Sequence, residues 1–193
     1  MKMTRGWMNV LVAVGTAVVI TTMMFATTAS ASGELELGGR TAATANFSVL
    51  SNKPDDFSKS TTVILGATLT RSSADVRFEY GAGLSVAATL SDFVDVTLVT
   101  PSGQVRINSN LMGPEENILL YAGFLAGVTF IEIDASGNAG GEKFTDEVGA
   151  FGPKFGAEYY FSSNLAIQLE DTVVFDTEKG VTNNLTLGVK LLF

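Results

Sequence analysis

The sequence predicts an all-β fold, an eight-stranded antiparallel up-and-down transmembrane β-barrel. Eight segments alternate apolar residues with small or polar ones, and a strand projects successive side chains to opposite faces. The start of the chain has the layout of an export signal. No segment after it is apolar for the ~18 residues that a spanning helix needs, although 46% of the chain is hydrophobic.

The last predicted strand, 182–193, shows the alternation most clearly. It reads T-N-N-L-T-L-G-V-K-L-L-F and ends the printed sequence on an aromatic residue. Its outward face is predicted to carry Leu185, Leu187, Val189, Leu191 and Phe193. The residues between them are mostly small, polar or charged. An apolar last strand that ends on an aromatic residue is typical of a barrel that closes in lipid. A soluble protein gains little from an apolar strand at this position.

The first 31 residues are predicted to be a secretory signal peptide. Lys2 and Arg5 make a short positive start, 7–25 is largely apolar, and Ala29-Ser30-Ala31 is a small-x-small cleavage site. The alternative is an N-terminal membrane anchor, because the apolar stretch is long for a signal. Cleavage after Ala31 would leave a β-barrel domain at 32–193.

Short polar, Gly-rich or charged stretches separate the predicted strands. The strands are 34–50, 60–70, 76–90, 91–112, 118–133, 148–161, 165–175 and 182–193. An even number of strands puts both termini of the barrel domain on the periplasmic side of the membrane. The predicted connections alternate unevenly between short turns and longer loops, as in outer-membrane barrels. Within 91–112 the phase of the apolar residues changes, which indicates either a register-shifting bulge or a small projecting hairpin.

Alternation alone does not say which face points inward. A soluble lipocalin-type barrel would hide its apolar face in the lumen. The polar face here is rich in Gly, Ala, Ser and Thr with isolated charges, which suits a narrow barrel interior better than a soluble surface. The apolar faces are long enough to cross a bilayer, and soluble proteins rarely expose such a band. The sequence therefore favours apolar side chains facing lipid.

Several charged residues fall on the inward phase of this arrangement. They are Glu36, Arg40, Arg77, Glu79, Lys154, Glu158, Glu170 and Lys190. Arg106 joins them if the fourth strand keeps its later phase. Buried charges need partners, so we predict a lumen ion-pair network. The alternative is a polar path or gate, although eight strands leave room for little beyond side chains.

Two segments, G-A-E-Y-Y-F-S-S-N-L-A-I-Q-L-E at 156–170 and the terminal L-T-L-G-V-K-L-L-F, carry a family resemblance. With the export signal and the eight amphipathic strands, they resemble the small outer-membrane β-barrel family of the OmpA/OmpX type, the outer membrane protein beta-barrel domain. The resemblance implies a bacterial cell outer membrane of the Gram-negative envelope, with outer-membrane lipid and lipopolysaccharide as surroundings. It also implies that Leu185, Leu187, Val189, Leu191 and Phe193 form the signal that the barrel-assembly machinery reads. The chain after the signal lacks Trp, so its aromatic girdles would rest on Phe.

Composition argues against several function classes. The chain has no His and no Cys, so the commonest general base and the thiolate metal ligands are missing. We therefore predict no enzyme activity, no metal site and no cofactor. A net charge of −8 argues against nucleic acid, which needs clustered Lys and Arg. Acidic residues in the outer loops could hold divalent cations beside lipopolysaccharide, but the favoured interpretation is a solvated acidic loop surface.

The sequence thus predicts a monomeric integral outer-membrane barrel with a structural or surface-interaction role and a lumen closed by ion pairs. Two alternatives remain open at this point. One is a narrow porin-like channel for small or hydrophobic solutes, which planar-bilayer conductance would reveal. The other is a soluble periplasmic lipocalin-like binding barrel, which would not need detergent for extraction.

Overall fold

A computed structural model describes residues 37–52, 60–90, 94–135, 143–178 and 180–193; the predicted signal peptide and Glu36 lie outside these ranges. The described chain forms eight strands. They are β1 (Thr41–Asn52), β2 (Ser60–Ser72), β3 (Phe78–Leu90), β4 (Val94–Asn108), β5 (Ile118–Ala135), β6 (Lys143–Ser162), β7 (Leu165–Asp176) and β8 (Val181–Leu192).

Each strand pairs antiparallel with its neighbours in the chain, and β1 pairs with β8 to close the barrel. The predicted fold class, an eight-stranded up-and-down barrel, is therefore confirmed. Within the described residues no helix is long and apolar enough to cross a membrane.

Several strand bounds differ from the predicted ones. The first strand begins at Thr41, not at residue 34, because Gly38 and Gly39 form a turn, with a positive φ of 70° at Gly39. The hairpin of β5 and β6 extends further than predicted, pairing up to Asp134 with Lys143. This extension is rich in polar residues, so apolar alternation in the sequence does not mark it.

The fourth strand contains neither a bulge nor a hairpin. Its register with β3 is constant from Val96, opposite Thr89, to Ile107, opposite Phe78. Both sequence interpretations of the phase change at 91–112 are therefore wrong. The strand keeps one register, and its apolar residues simply change sides, since Leu98 pairs with the inward Ala87 while Val105 faces outward and is 58% exposed.

The two ends of the barrel differ. The end that carries the start of β1, the end of β8 and the connections 73–77, 109–117 and 163–164 is called the terminal end below. The opposite end, where β1, β3, β5 and β7 end, is called the loop end. In the first terminal-end turn, the Ser73 hydroxyl donates to Asp75 Oδ1 at 2.5 Å. This hydrogen bond lowers the pKa of the Asp75 carboxyl below its ordinary value.

Large apolar side chains cover the outside of the barrel. Every exposed large hydrophobic residue of the described strands belongs to the outward phase; examples are Phe47 at 48%, Phe155 at 54% and Leu187 at 56% exposure. The inward phase carries buried Thr, Gln, Glu, Lys and Arg. A soluble binding barrel would show the reverse, so the lipocalin-like alternative does not fit.

The seam between the first and last strands is paired over a shorter length than the other strand pairs. Backbone pairing covers Ala42–Phe47 against Leu187–Leu192. One residue beyond the paired segment, toward the loop end, the Ser48 hydroxyl donates to the carbonyl oxygen of Leu185 at 2.8 Å. A side chain thus satisfies a carbonyl that the neighbouring strand's backbone would otherwise serve.

An acidic residue interrupts the apolar outer face in the middle of β7. Asp171 occupies the outward phase of β7, in the row that contains Ile167, Leu169 and Phe175, and it pairs with Phe155 and Leu185 on the adjacent strands. It lies near the middle of the strand. A charged side chain at this depth is costly because hydrocarbon solvates it poorly.

Replacing this carboxylate tests which face meets lipid. We expect Asp171→Leu to raise the free energy of unfolding by about 1–2 kcal/mol, because the penalty for an acidic residue on the lipid face is removed. Denaturant titration of the barrel refolded in lipid vesicles measures the change. Val173→Asp, one outward position further along, is the reciprocal control and should lower stability. A loss of stability in Asp171→Leu would contradict the assigned facing.

Candidate functional site in the barrel lumen

An apolar cluster occupies the terminal end of the lumen. Its buried members are Leu37, Ala42, Leu119, Tyr121, Tyr160, Ala166 and Leu192, and Val76 and Leu111 pack against it. Most of these residues are the first or last inward positions of their strands, and they come from β1, β5, β6, β7 and β8. Leu119 and Ala166 are 1% and 0% exposed, so water is excluded from the centre of this layer.

Four charges form a closed square next to this layer. Arg106 Nη2 lies 2.7 Å from Glu79 Oε2, and Arg106 Nη1 lies 2.6 Å from Glu158 Oε1. Lys190 Nζ completes the square, 2.8 Å from Glu79 Oε2 and 3.1 Å from Glu158 Oε1. Each cation therefore bridges both carboxylates. The four residues come from β3, β4, β6 and β8, so the square ties together strands from opposite sides of the barrel.

A second group of charges lies further toward the loop end. Lys154 Nζ approaches Glu170 Oε2 at 2.6 Å and donates to Gln104 Oε1 at 2.5 Å. The same Glu170 oxygen also accepts a hydrogen bond from Gln168 Nε2 at 3.0 Å. These partners occupy β4, β6 and β7. The carboxylate is thus held by one cation and by neutral donors, as a buried charge requires.

Tyr121 links the two charged groups. Its hydroxyl donates to Glu170 Oε2 at 2.8 Å, and the guanidinium carbon of Arg106 lies 4.2 Å from the centre of its ring. The ring reaches β7 by crossing over Gly156, where an added Cβ would collide with the Tyr121 hydroxyl. Glycine at 156 is therefore a steric requirement of this link.

The network is electrically balanced. Arg106, Lys154 and Lys190 contribute three positive charges, and Glu79, Glu158 and Glu170 contribute three negative ones. All six are buried, and Glu158 and Lys190 are the most buried at 0% and 1% exposure. Because every member has an opposite charge within contact distance, the cluster avoids the large penalty of an isolated buried ion.

Five of the eight residues predicted to line the lumen are brought together in this network. They are Glu79, Lys154, Glu158, Glu170 and Lys190. Arg106, which the sequence included only for one phase of the fourth strand, is the sixth member. Its phase could not be chosen from the sequence because the apolar residues of that strand change sides.

Two predicted members lie elsewhere, and one lies outside the described residues. Arg77 sits in the turn before β3 and is exposed, because the strand begins one residue after it. Arg40 precedes β1 at the terminal end, where Arg40 Nη1 donates to the Ser163 carbonyl oxygen at 2.7 Å. Its assignment to the network is therefore corrected to a contact between the start of the barrel and a terminal-end turn. The position of Glu36 is not described.

Sequence reasoning missed the neutral residues that complete the network. Tyr121, Gln104 and Gln168 all share the inward phase of their strands, which was the available signal. Because these residues are neutral, charge alone does not identify them as members of the network. Tyr160 also shares the inward phase of its strand, and its hydroxyl donates to Glu158 Oε2 at 2.5 Å.

The residues predicted as the barrel-assembly signal share the outward phase of β8 or directly follow it. Leu185, Leu187 and Phe193 are exposed at 61%, 56% and 65%, while Leu191 is 8% exposed. Phe193 and Thr41 exchange backbone hydrogen bonds of 2.9 and 3.2 Å, so the last residue takes part in closing the barrel. Among the described residues, no group of three or more acidic side chains could hold a metal ion.

The family model described as "Outer membrane protein beta-barrel domain" matches residues 15–193. No curated protein matches the sequence.

Solved structures show the same fold. The Neisserial surface protein A matches with a TM-score of 0.57 at 12% identity, over 86% of this chain and 100% of that one. The N-terminal barrel of Pseudomonas aeruginosa OprF matches with a TM-score of 0.52 at 17% identity, over 81% and 98%. Ail, the attachment invasion locus protein of Yersinia pestis, matches with a TM-score of 0.50 at 15% identity, over 81% and 99%. At these identities the likeness concerns the fold.

Removing one member of the charge square should be costly. Lys190→Met leaves Glu79 and Glu158 with one cation between them, so we expect a loss of about 3–5 kcal/mol in the free energy of unfolding. The double variant Glu79→Gln with Lys190→Met restores neutrality and should recover part of that loss. Denaturant titration in vesicles gives both values. A loss that is the same in the single and double variants would contradict the coupling.

Two adjacent tyrosines allow a matched test of the hydroxyl contacts. Tyr160→Phe removes the donor to the buried Glu158 carboxylate and should cost about 1–3 kcal/mol. Tyr159→Phe, on the outward face and 40% exposed, removes a hydroxyl that has no role in the network. Its effect should stay within about 0.5 kcal/mol. Equal effects of the two substitutions in the same unfolding assay would argue against the Tyr160 contact.

Proposed function

The chain belongs to the outer membrane protein beta-barrel domain family, and we propose that it serves the bacterial outer membrane as a non-catalytic structural or surface-interaction barrel with a lumen closed to solutes. The observation that carries the proposal is the lumen network of Glu79, Arg106, Glu158 and Lys190, in which each cation bridges both carboxylates. A transport path needs groups that exchange partners with the solute, whereas each of these charges already contacts two opposite charges.

The apolar layer at the terminal end supports the closed lumen independently. An ion that passed the network would next meet Leu119, Ala166 and Leu192, which are at most 5% exposed. Moving a hydrated ion through such a layer would require stripping its water without offering polar replacements. Two barriers of different chemistry therefore lie in series along the barrel axis.

With the lumen closed, contact with other molecules falls to the outside of the barrel. We propose that the loop end faces away from the cell and the terminal end faces the periplasm, as is general for barrels with an even strand number. Exposed acidic side chains mark the loop end, including Asp146, Glu147 and Glu178. The proposed surface role would act through this end and through the surrounding lipopolysaccharide. The last strand, Leu185 to Phe193, is proposed as the segment that the assembly machinery reads.

Planar-bilayer recording tests the closed lumen. We expect the purified barrel, refolded and shown to be heat-modifiable on gels, to insert without producing reproducible conductance steps. A known porin added to the same bilayer is the positive control for detection. Regular openings that scale with the amount of inserted protein would overturn the proposal and favour a narrow channel.

A further inference from the structure

A groove of about 800 Å³ runs over the outside of the barrel across β2 to β5. It lies on the outer side of the barrel wall, since most of the residues that line it, including Leu69, Tyr80 and Phe124, belong to the outward phase. Its volume is within the ~300–1,000 Å³ of typical small-ligand sites. Most of the remaining outer face carries projecting Leu, Val and Phe side chains, so a depression of this size is a local exception.

Three small residues on adjacent strands make the floor of the groove. Ala82 pairs with Gly103, and Gly103 pairs with Ala126, so the three lie side by side across the sheet. A Cβ added at Gly103 would meet nothing within 4 Å, which shows that the floor is open to the outside. Tyr80 and Phe124, which are 56% and 44% exposed, rise beside it toward the terminal end.

The groove slopes relative to the ends of the strands. Its floor follows one register row, which lies three residues from the terminal-end limit of β2 at Leu69 and eight residues from the limit of β5 at Ala126. Ala82 and Gly103 stand at four and five residues from their limits. The groove therefore rises from the edge of the apolar band into its interior, which is the path that an acyl chain takes from its headgroup.

A cationic residue stands at the low end of the groove. Arg71 is one residue from the end of β2, faces outward and is exposed. It pairs across the sheet with Tyr80 on one side and Thr41 on the other. It forms no ion pair or side-chain hydrogen bond with any residue in the described ranges. A guanidinium at this level is placed to bind a phosphate group, which matches its planar donors.

We propose that the groove is a binding site for one anionic phospholipid of the membrane leaflet at the terminal end. The phosphate lies on Arg71, and one acyl chain passes Leu69 and follows the floor of Ala82, Gly103 and Ala126 beside Tyr80 and Phe124. The juxtaposition of a cation with a rising apolar groove selects an amphiphile with an anionic head. A protein surface would need a complementary ridge and an acidic group at the same spacing. The site is independent of whether the lumen conducts.

Quenching of a single tryptophan by brominated lipids tests the site. The only Trp of the full chain is Trp7, in the predicted signal peptide, so the mature barrel offers a clean background. Phe124→Trp reports on the groove, and Leu169→Trp, on β7 and 51% exposed, reports on ordinary lipid-facing surface. Each variant is refolded in vesicles that contain brominated phosphatidylglycerol or brominated phosphatidylcholine.

We expect the Phe124→Trp barrel to prefer brominated phosphatidylglycerol about fivefold, the size of one cationic contact at a membrane surface. The Leu169→Trp barrel should show no preference. Arg71→Gln in the Phe124→Trp background should abolish the preference, Arg71→Lys should retain part of it, and Gly103→Leu should weaken quenching by both lipids. Heat-modifiable gel mobility confirms that each variant is folded.

Three results would overturn the proposal. Equal preferences at the two tryptophan positions would mean an ordinary lipid-facing surface. An unchanged preference after Arg71→Gln would remove the phosphate contact. Quenching of the Phe124→Trp barrel that is weaker than the control with both lipids would mean that protein, such as a second copy of the chain, covers the groove.

Discussion

The alternating square of Glu79, Arg106, Glu158 and Lys190 is the interaction on which the interior depends. A barrel of eight strands has an interior just wide enough for side chains to fill, and charges placed there must satisfy one another. Because the four residues come from four strands, the square holds only when all four strands have the right register. A shift of one residue would turn a charge toward lipid and leave its partner unpaired. The network therefore specifies the register of the barrel as well as filling its interior.

The sequence predicted the fold and most of this network for one physical reason. Period-two alternation assigns each residue to a face, and a closed barrel has only an inside and an outside. Glu158 and Lys190 could be placed inward from their own strands alone. Arg106 and Arg77 could not be settled in this way. The facing of the Arg106 side chain depends on the register of a strand whose apolar residues change sides. The placement of Arg77 depends on the residue at which its strand begins.

Other features of the site depend on neighbours across the sheet, which a single sequence does not reveal. Tyr121 reaches Glu170 only because Gly156 lies between them in the register. The apolar layer escaped notice because its members, such as Leu119 and Leu192, are scattered over the chain and break the rule that inward residues are polar. They gather only when the strand ends meet at the terminal end.

The departures from alternation on the outer face are as informative as the network. An interior whose charges are all paired leaves little freedom for substitution, so differences in function must be carried by the surface. Two of the outward positions that carry a charge differ in depth: Asp171 lies in the middle of β7 and Arg71 at the edge of β2. The first has no cationic neighbour in its row, whereas the second adjoins a groove that suits an acyl chain. A charge at the level of phosphate groups costs little, because its counter-ion is the lipid itself. The depth of a charged side chain in the membrane thus decides whether it lowers the stability of the barrel or forms part of a binding site.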